Sequence, residues 1–215
     1  MDAVDPSAAA GIALIALGLV LTPGPNMLYL VSRALTQGRR AGLISLIGTG
    51  LGFLVYLATA VLGLSAIFVA VPAAYVALKV GGAAYLLWLA WSVLRPGARP
   101  VFAVRELPRD RPRRLIGMGF LTNLLNPKIA VLYISLLPQF VDPANGSVAV
   151  QSLVLGSIQI AIALTVNGLF VVIAGSLAMV LARHPRVERA QRWLMGSVLG
   201  GFGIKLLTDR SRAAV

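Results

Sequence analysis

Cysteine is absent from this chain and histidine occurs once, as His184 in a basic connector. Disulfides, thiolate metal sites and cysteine catalysis are therefore excluded, and no base is left for a Ser-His pair inside an apolar stretch. Acidic residues are scarce as well, with 7 Asp and Glu against 19 Lys and Arg in 215 residues. All of them lie in termini, connectors or helix ends. Neither a carboxylate relay through a membrane nor an all-carboxylate divalent-metal cage has residues to build it. Charged residues make up 12% of the chain and hydrophobic ones 58%. Soluble domains average roughly 25% and 45–50%, so this chain cannot cover a globule with polar surface, and its solvent is lipid. Soluble enzymes and nucleic-acid readers drop out on that ground, although the formal charge is +12. No catalytic residue, metal or cofactor is assigned.

What the chain does hold is six apolar stretches, at about 8–35, 41–71, 75–94, 115–137, 148–182 and 193–207. Each suits the ~20 residues of a spanning helix, so the expected fold is an all-α integral membrane protein with six transmembrane helices. A single membrane domain is expected over 1–215. The sixth stretch is short and glycine-rich; the second and fifth exceed one span and are expected to tilt or protrude. The head of the chain is acidic through Asp2 and Asp5 and lacks the positive start of a secretory signal. Arginines crowd the connectors around 33–40, 95–114 and 183–192, whereas the opposite side carries Lys79, Lys205, Arg210 and Arg212. Basic connectors stay in the cytoplasm, which places both termini outside. The Arg-rich segment 95–114 reads as a topology signal in a Pro-rich linker rather than as a nucleic-acid or anionic-lipid patch.

That linker separates repeat one, about 8–94, from repeat two, about 115–208. The segment from Thr22 to Tyr29 aligns with that from Asn126 to Tyr133, pairing Pro23 with Pro127, Leu28 with Leu132 and Tyr29 with Tyr133; the same offset pairs Gly52 with Gly156. Three helices is an odd number, so the second copy enters the membrane from the opposite face. The expectation is two inverted three-helix repeats.

Proline inside a span removes a backbone donor and frees carbonyls that lipid cannot satisfy. Pro23 lies roughly 22 Å into the first helix and Pro127 roughly 20 Å into the fourth, at 1.5 Å per residue, so both helices are expected to break near the bilayer midplane. Thr22, Pro23, Gly24, Pro25 and Asn26 form one break; Asn123, Asn126, Pro127 and Lys128 form the other. Paired broken helices at mid-depth point to a transporter's binding site, where half-helix N-termini offer N–H groups to a carboxylate. An ammonium at that depth costs at least about 2.5–3.5 kcal/mol, which makes Lys128 functional by default. The plainer alternative is that Lys128 snorkels or bonds the freed carbonyls. Asn123 and Asn126 either meet substrate or cap the broken turn.

Further along, Gln139 and Asp142 stand at the outer mouth as coupling or gating candidates, although Asp142 before Pro143 also suits a turn. Gln159 and Asn167 share one helix face, with Thr165 nearby, and either line a path or bond between helices; Asn167 is kept with the coupling candidates. Gly48 with Gly52, and Gly196 with Gly200, make GxxxG pairs for close helix approach, either within the chain or in a homodimer. Trp88, Trp91 and Trp193 read as interfacial anchors.

Taken in order, Thr22-Pro23-Gly24-Pro25-Asn26, Gly38-Arg39-Arg40-Ala41-Gly42, Gly48-Thr49-Gly50-Leu51-Gly52, Lys79 to Leu89, Phe120 to Lys128 and Leu137-Pro138-Gln139-Phe140-Val141 resemble the LysE/RhtB amino-acid exporters in sequence and spacing, over about residues 10 to 208. The resemblance implies a multi-pass exporter of amino acids or their analogues in the bacterial inner membrane, driven by the proton motive force, with the amino acid and protons as its partners and no nucleic acid. Export of metal or other small cations, and a non-transporting membrane scaffold, remain the alternative readings.

Overall fold

In the computed structural model the described residues are 4–22, 24–70, 80–81, 83–84, 87–88, 90–91, 94–95, 109–183, 193, 196–197, 200–201, 204 and 207–208. The third and sixth expected spans are covered only at scattered positions, and Pro23, His184 and most of the 95–114 linker lie outside the described residues.

Helix α1 spans Pro6–Leu21. Asp5 caps it, its carboxylate accepting the Ser7 N–H at 2.7 Å, a bond that holds its pKa below the ordinary value. Proline at the first helical position costs nothing there, because that N–H has no helical partner in any case. Ile12, Ile15, Ala16, Leu19 and Val20 recur at three- and four-residue steps, so they bury one face of α1. The helix then stops because residues before proline are driven out of the helical region. Thr22, before Pro23, is extended (φ −75°, ψ 128°), and so is Gly24 before Pro25. Helix α2, Pro25–Gln37, restarts beyond the break at 52° to α1. Gly38, at φ 91°, makes the left-handed turn into α3, Arg39–Ala70.

The second half repeats this order. Helix α4, Pro112–Leu124, ends before Asn126, which is extended because Pro127 follows. Helix α5, Pro127–Val131, passes into a π turn at Leu132–Leu136 and a 3-10 turn at Leu137–Phe140. Pro138 supplies the cause, since its ring excludes the carbonyl four residues earlier and it donates no bond. The two parts, Pro112–Leu124 and Pro127–Phe140, meet at 49°. After a 3-10 turn at Pro143–Asn145, helix α6 runs over Val148–Arg183.

Among the described residues two segments, Arg39–Gly63 and Val148–Ala174, are long and apolar enough to cross a bilayer unbroken, and the two bent pairs bring the number to as many as four. Helices α3 and α6, at 32 and 36 residues, reach roughly 48 and 54 Å at 1.5 Å per residue against a hydrocarbon core of ~30 Å. Large apolar side chains face outward, Leu14, Leu62 and Leu125 among them, as a lipid solvent requires. Helix α3 packs against α4 and α6, α1 and α2 against α6, and α2 against α3. Both GxxxG pairs are filled from within the chain. Gly48 faces the Ile116 carbonyl and Gly52 the Asn123 side chain, while Gly196 faces Leu94 and Gly200 faces Ala90. A second protomer would therefore need another surface.

Candidate functional site

The interior is two apolar clusters. One gathers Ile12, Ile15, Leu19, Phe53, Leu57, Ile129, Leu132 and Ala163; the other gathers Met27, Leu30, Val31, Ala34, Val171 and Ala174. Along α1–α2 the change of cluster falls at the break, and along α6 it falls around Asn167. Buried polar residues collect at that level: Thr22, Asn26, Lys128 and Asn167 are each at most 5% exposed.

Lys128 joins the two broken pairs. Its Nζ donates to the Leu19 carbonyl at 2.8 Å and to the Thr22 carbonyl at 2.9 Å. Both carbonyls lie at the C-terminal end of α1, where the helix dipole is negative and favours a cation, and that of Leu19 also accepts the Thr22 N–H at 3.2 Å. A long charged residue from the second half is thus held by main chain that two prolines unwound in the first. The Lys128 head also lies against Gly24, where a Cβ would come within 2.9 Å of Nζ. Gly24 caps α2 without any side-chain bond, so the first N–H groups of α2 open beside the ammonium.

Asn126 caps α5: its Oδ1 accepts the Lys128 N–H at 3.1 Å, while its Nδ2 is buried without a partner. Asn123 is fully buried on α4 against Gly52, with neither amide atom bonded. Helix α4 ends at Leu124, between these two amides. Asn26 lies in the first turn of α2 with Oδ1 buried and unbonded.

A cavity of about 20 Å³ sits at this level, lined by Leu19, Val20, Asn26, Met27, Phe53, Lys128, Ile129, Leu132, Gln159 and Asn167, with Ala16 and Ala163. A cavity of that size holds about one water, far below the roughly 300 Å³ of a ligand pocket. Of the expected site residues, Asn26, Lys128 and Asn167 line it. Thr22, Gly24, Pro25, Asn126 and Pro127 build the breaks around it. Asn123 faces α3 instead. Gln159 lines the cavity too; its Oε1 accepts the Tyr133 hydroxyl at 2.7 Å, and Tyr133 stacks on Tyr56 with centroids 5.4 Å apart. Asn167 Nδ2 donates to the Ala163 carbonyl at 2.8 Å. Gln139 and Asp142 lie elsewhere, beyond α5. Gln139 bonds the Ser135 carbonyl, and Asp142 caps Pro143–Asn145 with one oxygen on the Ala144 N–H and the other on the Asn145 amide.

At the basic end of the helices a second polar cluster links the halves, one that the charge pattern alone did not separate from a topology signal. Asp110, just ahead of α4, accepts from Arg33 Nη1 at 2.5 Å, Gln37 Nε2 at 2.8 Å and Arg114 Nη1 at 3.0 Å, and its own N–H donates to Gln37 Oε1 at 2.8 Å. The Arg33 guanidinium also lies over the Tyr29 ring, whose hydroxyl donates to the Leu115 carbonyl at 2.8 Å. The sequence signal was an acidic residue, Asp110, set between Arg109 and Arg111.

The family model described as LysE type translocator matches residues 17–210. An uncharacterized membrane protein of Pseudomonas aeruginosa is 31% identical over 199 residues, covering 88% of this chain and 90% of its own. The threonine efflux protein of Salmonella typhi is 27% identical over 205 residues, covering 93% of this chain and 97% of its own. An uncharacterized membrane protein of Escherichia coli is 27% identical over 188 residues, covering 87% of this chain and 83% of its own. No solved structure gives a significant match.

Proposed function

The chain belongs to the LysE type translocator family, a family of transporters rather than enzymes, and from that premise we propose that it exports amino acids or their analogues across the bacterial inner membrane. The observation that carries the reading is the bond from Lys128 of one broken helix to the Leu19 and Thr22 carbonyls of the other, beside a cavity that also takes in Asn26. Half-helix N-termini and a cation together suit a carboxylate. A substrate carboxylate takes over Lys128 from the α1 carbonyls, and Thr22, Gly24, Pro25, Asn123, Asn126 and Pro127 shape and cap the breaks that make this exchange feasible. The threonine efflux relative supports an amino acid as cargo.

In this proposal the chain has six spans in two inverted halves, with both termini outside as the arginine distribution favours. Export proceeds by rocking of the halves about the cavity. The Arg33–Asp110–Gln37 cluster is then the cytoplasmic latch that holds the closed form, and the proton motive force drives the cycle. The test is efflux of labelled amino acid from dipeptide-fed cells. Lys128→Ala, Asn126→Ala and Pro23→Ala, each with expression confirmed, are expected to abolish or strongly reduce efflux, and an uncoupler is expected to stop it in the parent. Unchanged efflux in all three variants removes the proposed site. Absent flux of every amino acid, with a protein partner recovered, would favour a scaffold.

A further inference from the structure

The polar groups around the cavity carry one consequence for cargo, which rests on the reading of this cavity as the substrate site. We infer that the cargo is an amino acid with an uncharged side chain, and that the cavity rejects lysine and arginine because Lys128 faces it without a counter-charge. The two ends of a zwitterion are each provided for. Lys128 uses two of its three N–H donors on Leu19 and Thr22, and the uncapped start of α2 adds its positive dipole end beside the same ammonium. Both call for a carboxylate. The α-ammonium of the cargo needs an acceptor, and Asn26 Oδ1, on a residue only 5% exposed, lacks any partner on the cavity wall.

Among the described residues, nothing further along the wall would neutralise a second cation. Gln159 and Asn167 are amides, with Gln159 Oε1 already committed to Tyr133. Phe53 and Leu132 are apolar, and no Asp or Glu of the sequence lies within an apolar stretch. A cationic side chain held there would repel Lys128 across a few ångströms of low-dielectric interior. At an effective dielectric of about 20 and a separation of ~6 Å, that repulsion corresponds to about a hundredfold in binding.

The experiment is counterflow in proteoliposomes holding the purified full chain, with labelled threonine, alanine, lysine and arginine compared. The expected result is robust threonine or alanine flux and lysine and arginine flux about a hundredfold lower. In Gln159→Glu, which puts a carboxylate on the wall, lysine flux relative to threonine is expected to rise at least about tenfold, since one restored charge pair recovers much of that penalty. Gln159→Glu keeps an acceptor for the Tyr133 hydroxyl, whereas Gln159→Leu loses that bond without adding charge and should leave the ratio unmoved, so a rise in the Glu variant alone reports the charge. Lysine carried as fast as threonine by the parent overturns the inference while the exporter reading stands. A parent that carries no amino acid at all overturns both. If Gln159→Glu does not fold, the parent ratio decides alone.

Discussion

Replacing Asp110 with Asn removes the centre of the proposed latch while keeping its shape. The carboxylate is 7% exposed and its Arg33 partner 15%, and Gln37 and Arg114 complete its shell. Asn retains one acceptor oxygen but no charge, so the Arg33 guanidinium, whose Nε is already buried without a partner, loses its counter-ion. Deleting one member of a fully buried pair costs about 3–5 kcal/mol. The partial exposure of Arg33, the wide exposure of Arg114 and screening at the membrane surface reduce this to about 1–3 kcal/mol. If the halves separate at this end during transport, that energy is lost only from the closed form, and the balance shifts toward the open form by about 5–150-fold. The natural lack of cysteine provides the assay. A single Met27→Cys reporter on the cavity wall is alkylated by a maleimide in inside-out vesicles, where the cytoplasmic face is accessible. Labelling is expected to be at least about fivefold faster in Asp110→Asn than in the parent, with Arg33→Met behaving alike and the double variant adding little. Equal labelling rates in folded protein would refute the latch. Acceleration in right-side-out vesicles alone would invert the proposed orientation.

Other perturbations test the packing around the site. In Gly48→Ala the new methyl runs into the Ile116 carbonyl, a backbone atom that cannot turn aside; a loss of about 1–3 kcal/mol or more is expected, read as a lower melting temperature in detergent. Gly117→Ala, on the facing helix with nothing near its Cβ position, should instead gain about 0.4–1 kcal/mol, and equal melting points in the two variants would count against the close α3–α4 approach. Tyr133→Phe leaves the buried Gln159 oxygen unbonded but preserves the stack on Tyr56. A loss of about 1–3 kcal/mol follows, together with reduced efflux; unchanged stability would show that the Gln159 bond contributes nothing.

The breaks in the first and fourth apolar stretches were legible because proline acts locally: it removes its own N–H and expels the preceding residue from the helical region, whatever surrounds it. The long second and fifth stretches were legible for a similar reason, since 32- and 36-residue helices follow from uninterrupted apolar sequence. Lys128 announced itself by depth. Its partners did not, because Leu19 and Thr22 lie more than 100 residues away, and backbone carbonyls leave no trace in side-chain identity. Two residue assignments show the same boundary. Asn123 and Asn126, three apart, would share one face of a continuous helix, and the helix end at Leu124 separates them. The 95–114 linker and the arginines ahead of it were read as a topology signal, and the Asp110 shell became visible only when Arg33 and Gln37 were brought to it from more than 70 residues earlier.

By itself the amino-acid sequence determined the apolar solvent, the approximate extents of the first, second, fourth and fifth apolar stretches, the two proline breaks and the deep placement of Lys128, since each depends on composition or on a covalent restriction acting within a few residues. Tertiary structure decided which main-chain oxygens hold that cation, that Asn26, Gln159 and Asn167 share one cavity wall while Asn123 packs elsewhere, and that the GxxxG faces are filled from within the chain. These are contacts between distant segments, fixed by how helices α1 to α6 pack, and hydropathy along the chain does not encode which buried polar groups will meet.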